Sequence, residues 1–170
     1  MKTTITCAFG ALLFVVSCAT TAIPGTDIPD TPENRAVLEV FFRYVEAVKA
    51  KETDKLLALV SEHYLDHNGT DDASDDVDYE GIKRFIFSDT FNTIKTVNVV
   101  FIVKDMLFSE DKQTAKILYY YEVRVKTERR VAPLETSSVN SPAEKWLKES
   151  DVNQMVLRKE PGGWKIVSGL

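Results

Sequence analysis

The period of the apolar residues changes once along this chain of 170 residues, near Thr93, from the 3.6 of a helix to the 2 of a strand. Helices must therefore come first and strands after. Before the change, Val37, Leu38, Phe41, Val45 and Val48 recur at the spacing of one buried helical face, with Glu39, Arg43, Glu46 and Lys49 opposite. Thr31-Pro32-Glu33 supplies a hydroxyl cap, a proline at the first helical position and an acid in the first turn. A second helix is expected from Thr53, with Leu56, Leu57, Leu59 and Val60, fading between Tyr64 and Gly69. A third is expected over 79–91 around Ile82, Phe85 and Ile86, capped by Asp78. After the change, Val97, Val99, Phe101 and Val103 alternate with Asn98, Val100, Ile102 and Lys104. The polar turn Ser109-Glu110-Asp111-Lys112 leads to a strand with Ile117, Tyr119, Tyr121, Val123 and Val125 on one face. A third strand over about 152–159 and the turn Pro161-Gly162-Gly163 lead into Trp164-Lys165-Ile166-Val167. The stretch 130–150 is long for a loop in a compact domain. Within it Ser141 and Pro142 to Leu147 read as a short capped helix, with Trp146 anchoring a lid or packed at the sheet edge.

Composition removes several classes of function. The chain has 21 basic and 26 acidic residues, a formal charge of −5, so no basic surface for nucleic acid is expected. Two cysteines exclude a disulfide-dense scaffold, and both fall in the first eighteen residues. There a short n-region containing Lys2 precedes the apolar run from Ile5 to Val16. As a helix that run would rise about 18 Å, well short of the roughly 30 Å hydrocarbon core, so it reads as a secretory segment. Its end, Val15-Val16-Ser17-Cys18, resembles the lipobox of bacterial lipoproteins. The resemblance implies that residues 1–17 are a signal peptide removed together with Cys7. It further implies that Cys18 is acylated and that the protein is anchored in the bacterial cell envelope. Ala19 rather than Asp follows the cysteine, which favours the outer membrane. Residues 18–30, with Pro24, Gly25 and Pro29 and no periodicity, are expected to be a flexible tether, with the folded domain at 31–170.

Helices followed by long antiparallel strands make an α+β layout, in which the N-terminal helices cover one face of a curved sheet. Three segments carry a closer likeness: Lys51-Glu52-Thr53-Asp54 between the first two helices, Lys55-Leu56-Leu57 after it, and Gly163-Trp164-Lys165-Ile166-Val167-Ser168-Gly169. With the element order, they resemble the nuclear transport factor 2-like superfamily, which includes ketosteroid isomerase, scytalone dehydratase and the SnoaL-like polyketide cyclases. The resemblance covers about residues 32–170 and implies a cone with a hollow between helices and sheet. The stretch 130–150 departs from the simplest pattern of that superfamily. Its members include isomerases, dehydratases, cyclases and transport adaptors, so the fold does not set the function.

Few residues suggest chemistry. The two histidines, His63 and His67, flank Asp66, and a helix reaching this far would put all three on one face. That set suits an acid/base pair, or less well a metal site, but Asn68-Gly69 marks a helix end. Tyr119 and Tyr121 share a strand face, and with Trp164 they are the pocket-lining candidates. The aspartates at 71, 72, 75, 76 and 78 lack the order of a calcium loop, and Lys126, Arg129 and Arg130 read as a strand end. No motif for a cofactor is present. The reading is a lipid-anchored pocket domain that binds a small ligand or a protein partner without catalysis. Its alternative is an envelope isomerase, dehydratase or cyclase using His63 or His67 with Asp66, and Tyr119 or Tyr121 as donor. Val100, Ile102, Leu118 and Tyr120 on the other sheet face suggest a homodimer.

Overall fold

The first helix, α1 (Pro32–Ala50), begins where the sequence places it: the Thr31 hydroxyl accepts a hydrogen bond from the Asn34 amide at 3.1 Å. It ends on Lys51, whose left-handed backbone (φ 55°) turns its N–H back to the Ala47 and Val48 carbonyls. The computed structural model describes residues 21–88, 94–127 and 145–170. Cys18, residues 89–91 of the expected third helix, Arg129, Arg130, and Ser141 with Pro142 lie outside these. Among the described residues no helix is long and apolar enough to cross a membrane.

Helix α2 (Thr53–Leu59) stops at Val60, which is already extended. The chain then turns at Glu62 and His63, the Tyr64 amide donating to the Ser61 carbonyl at 3.1 Å, and strand β1 (Leu65–Asp66) pairs with β2 (Val77–Asp78). Helix α3 (Tyr79–Ile86) follows, its first turn capped by the Asp78 carboxylate, which accepts from the Gly81 amide at 2.7 Å.

The main sheet is antiparallel, in the order β3 (Ile94–Phe108), β4 (Thr114–Thr127), β5 (Lys145–Glu160), β6 (Gly163–Ser168). Register shifts at Ile94/Thr96, Val103/Asp105 and Val156/Leu157 mark bulges, which bend the strands and increase the twist. Odd-numbered residues of β4 face the helices, so Ala115, Ile117 and Tyr119 are buried. Their partners across the sheet include Leu157 and Met155, both fully buried, and Ile166 of β6 lies opposite Leu157. Val37, Leu38 and Phe41 of α1 close the core from above. The exit from α2 is fastened to the last strand: Val60 bridges Ile166, and the Ser61 amide donates to the Ile166 carbonyl at 2.9 Å.

Two expectations are corrected. The short helix over 142–147 is not formed by residues 145–147, which belong to β5. That strand begins well before 152, with Trp146 opposite Lys126. Trp146 lies on the sheet's outer face, 52% exposed, and anchors no lid over the helical side. The flexible tether expected over 18–30 does not extend through residues 21–30. Ile23 and Ile28 are buried (7% and 6% exposed) in the core cluster. The Ile23 amide donates to the Ile28 carbonyl at 2.9 Å, and the Asp30 amide to the Thr21 carbonyl at 2.7 Å. Two isoleucines five residues apart, either side of a Pro-Gly turn, gave this segment enough apolar surface to dock.

Candidate functional site

Among α1, α2, α3 and the segment after β6 lies a cavity of about 210 Å³, lined by Tyr44, Val48, Leu56, Val60, Ile82, Phe85, Ile86 and Leu170. Seven of these eight side chains are hydrocarbon. The eighth, Tyr44, brings the only hydroxyl. Among the described residues that hydroxyl has no hydrogen-bond partner, while the ring is held edge-on to Phe101 at 6.1 Å. Burial pushes its pKa from 10.0 up to about 12, with smaller contributions from the hydroxyls of Tyr64 and Tyr121. Tyr44 therefore stays a proton donor at neutral pH at the edge of an apolar cavity, with Tyr64 and Tyr121 as its polar neighbours.

Beside the cavity stands a small polar cluster built from three elements. After a turn at Glu62 and His63 the chain alternates from Tyr64, so Tyr64 is buried and Asp66 half-buried while Leu65 and His67, like His63 in the turn, face solvent. The Tyr64 hydroxyl donates to Asp66 Oδ2 at 3.2 Å, and Asp66 Oδ1 accepts from the Asn68 amide at 2.9 Å. From β4 come Tyr119, buried, and Tyr121, half-buried; their rings lie 6.3 Å apart and each packs near Phe101. Burial, above all, holds the pKa of Tyr64 and of Tyr119 well above the tyrosine range, and both are donors at any physiological pH. Tyr121 is raised as well, by burial and by the Glu149 carboxylate, to which its hydroxyl donates at 3.1 Å.

The structure thus brings Asp66 near Tyr119, turns the Tyr121 hydroxyl to Glu149, leaves His63 exposed, and sets His67 on an open groove with Asp66 but paired to Asp76. The reason is local. A helix would have put 63, 66 and 67 on one side, but α2 ends at Leu59 and the following chain alternates, so neighbours 66 and 67 point opposite ways. His67 instead pairs with Asp76 at 2.9 Å in the exposed loop, and the His63 amide donates to the Ser61 hydroxyl at 2.9 Å. The acid/base pair needed a histidine beside Asp66 inside the cone, and none stands there. Among the described residues no group of three or more His, Cys, Asp or Glu is placed to hold a metal ion. Trp164 is half-buried against Phe108, ring centroids 6.0 Å apart, and does not line the cavity. Tyr44 was missed. The signal was available, since it stands three residues after Phe41 and four before Val48, on the buried face of α1.

No protein-family model matches the sequence, and no curated protein matches it. Solved structures do match. A ketosteroid isomerase-like protein from Erwinia carotovora superposes with a TM-score of 0.60 at 11% identity, covering 82% of this chain and 95% of that one. A candidate dehydratase of the nuclear transport factor 2-like family from Streptomyces avermitilis gives 0.53 at 17% identity, over 82% and 95%. The fold is nuclear transport factor 2-like. The association domain of C. elegans calcium/calmodulin-dependent protein kinase II shares it, at a TM-score of 0.54 and 12% identity, over 81% and 92% of the two chains. In this nuclear transport factor 2-like fold the cavity at Tyr44 is walled by the three helices and Leu170.

The raised pKa of Tyr44 has a consequence for stability. In the folded state the phenol keeps its proton above pH 10, while in the unfolded chain it loses it. The stabilisation is therefore complete below the unfolded value and is lost as pH rises through the folded one. The urea midpoint is expected to fall between pH 10 and about 12, and to fall less steeply in Tyr44→Phe. Parallel slopes for the two proteins would show that Tyr44 is not held in this environment.

Proposed function

We propose that this protein is a lipid-anchored component of the bacterial cell envelope whose cone binds a small, mostly apolar molecule carrying one hydrogen-bonding group. The observation that supports it best is the unpartnered Tyr44 hydroxyl in a cavity otherwise lined by hydrocarbon. Apolar walls supply the affinity, and one placed polar group sets orientation. Binding is favoured over turnover because Asp66 already accepts from two backbone amides and from Tyr64, and the His67 ring pairs with Asp76 instead. Solved structures of this fold have been described as ketosteroid isomerase-like and as a candidate dehydratase, which supports reading the cavity as a small-molecule pocket. Native mass spectrometry of the purified protein is expected to retain a small organic molecule. Tyr44→Phe is expected to bind it roughly three- to tenfold more weakly, the worth of one hydrogen bond. Equal affinity in the two proteins would refute the role given to Tyr44.

The membrane attachment rests on Cys18 and the apolar run before it. Replacing Cys18 by Ala is expected to move the protein from the membrane fraction to the soluble fraction. Unchanged partitioning would defeat the anchor.

The occupant proposed for the sheet's outer face is a second copy of the chain. Ile102, Tyr120 and Val152 stand in one row across β3, β4 and β5, flanked by Val100 and Leu118. Val100 and Val152 are each 53% exposed, an unusual arrangement for a β-sheet face left in water. A kinase association domain with the same fold makes self-association through this architecture a reasonable expectation. Sedimentation of the wild-type protein is expected to give a dimer, and Val152→Glu a monomer. A wild-type monomer at high concentration would sink the idea.

A further inference from the structure

Leu170, joined to β6 through Gly169, forms part of the cavity lining beside Tyr44, Val48 and Ile86. Its amide donates to the Tyr64 hydroxyl at 3.1 Å, and the Gly169 amide donates to Asp66 Oδ2 at 2.6 Å. The Tyr64 hydroxyl donates a hydrogen bond of its own to the same Asp66 oxygen, and the Tyr119 hydroxyl donates to the Gly169 carbonyl at 3.3 Å. Side chains, rather than a neighbouring strand's backbone, therefore satisfy both amides and the Gly169 carbonyl.

Gly169 makes this path possible. Its φ is +88°, and a Cβ there would lie 1.9 Å from the Gln154 carbonyl oxygen, so no other residue fits. The same residue is the point at which the segment can swing away, because glycine crosses between backbone regions at little cost.

We propose that Gly169–Leu170 is an internal strap that occupies part of the binding site, and that a ligand enters by displacing it. This rests on the pocket reading above and adds its regulation and ligand class. Releasing the strap leaves Asp66 Oδ2 and the Tyr64 oxygen without the amides they accept from. The displacing molecule is therefore one that combines an apolar body, in place of the Leu170 side chain, with an N–H or O–H donor of its own.

The test uses N-phenyl-1-naphthylamine, an uncharged fluorescent probe with two aromatic units and one N–H. The protein is the mature chain from residue 18 carrying Cys18→Ser, so that no acyl group competes for the probe. Probe binding is expected to be at least fivefold tighter in Leu170→Ala than in the parent. In the parent chain, saturating probe is expected to speed exchange of the Gly169 and Leu170 amide protons at least tenfold. That second readout needs no substitution at the strap, so it stands even if Leu170→Ala folds poorly. Were Leu170 a fixed wall, the alanine variant would bind more weakly and the two amides would exchange more slowly or unchanged. Either result overturns the strap and leaves the pocket. Failure of the probe to bind either protein would overturn pocket and strap together.

Discussion

Phe41 is the side chain on which the arrangement turns. It is fully buried, with its ring 5.9 Å from Phe101 and 5.1 Å from Tyr119, and so ties α1 to the first two strands of the sheet. A phenylalanine buried this completely contributes about 3–5 kcal/mol relative to alanine, a large share of a domain's marginal stability. Its place also dictates what the rest of α1 does. Residues 37, 38 and 41 meet the sheet where it is fully covered, while Tyr44 and Val48, one and two turns on, stand over the hollow.

The polar interior follows from a change of backbone rather than from a motif. At Val60 the chain leaves the helix, and Ser61, buried, is held by a hydrogen bond to Glu160 at 2.6 Å. A turn at Glu62 and His63, closed by the Tyr64 amide on the Ser61 carbonyl at 3.1 Å, then sets the phase of the short strand that follows. Tyr64 and Asp66 turn inward because of it, and His63 and His67 are exposed. A single carboxylate inside an apolar cone is costly unless its oxygens accept hydrogen bonds, and here the Asn68 and Gly169 amides and the Tyr64 hydroxyl supply them.

The fold was readable from the amino acids because its elements obey the period of their burial. The two long hairpins alternate cleanly where one face meets the helices, and Thr31 and Asp78 announced their helices by cap chemistry alone. What stayed hidden did so for physical reasons. The first half of β5, Lys145-Trp146-Leu147-Lys148-Glu149-Ser150-Asp151, is exposed from 146 onward, so it carries no alternation to read. Asp66 was recognised as a site residue, but α2 ends at Leu59, well before the expected fading over 64–69, so the helical face that would have joined it to His63 and His67 does not form. Tyr44 looked like one more aromatic on a buried helix, and only the packing of three helices around it reveals the cavity it lines.

The docking of Ile23 and Ile28 shortens the distance between anchor and fold. Should Cys18 carry acyl chains, only residues 19 and 20 separate it from the first hydrogen-bonded residue, Thr21. Three residue steps reach roughly 11 Å when fully extended. The headgroup layer on one side of a bilayer takes up roughly 5–8 Å of that. The domain would then ride on the lipid surface like a boat on a short mooring, unable to sample the space above it. A molecule leaving the bilayer would meet the cone before it met bulk water.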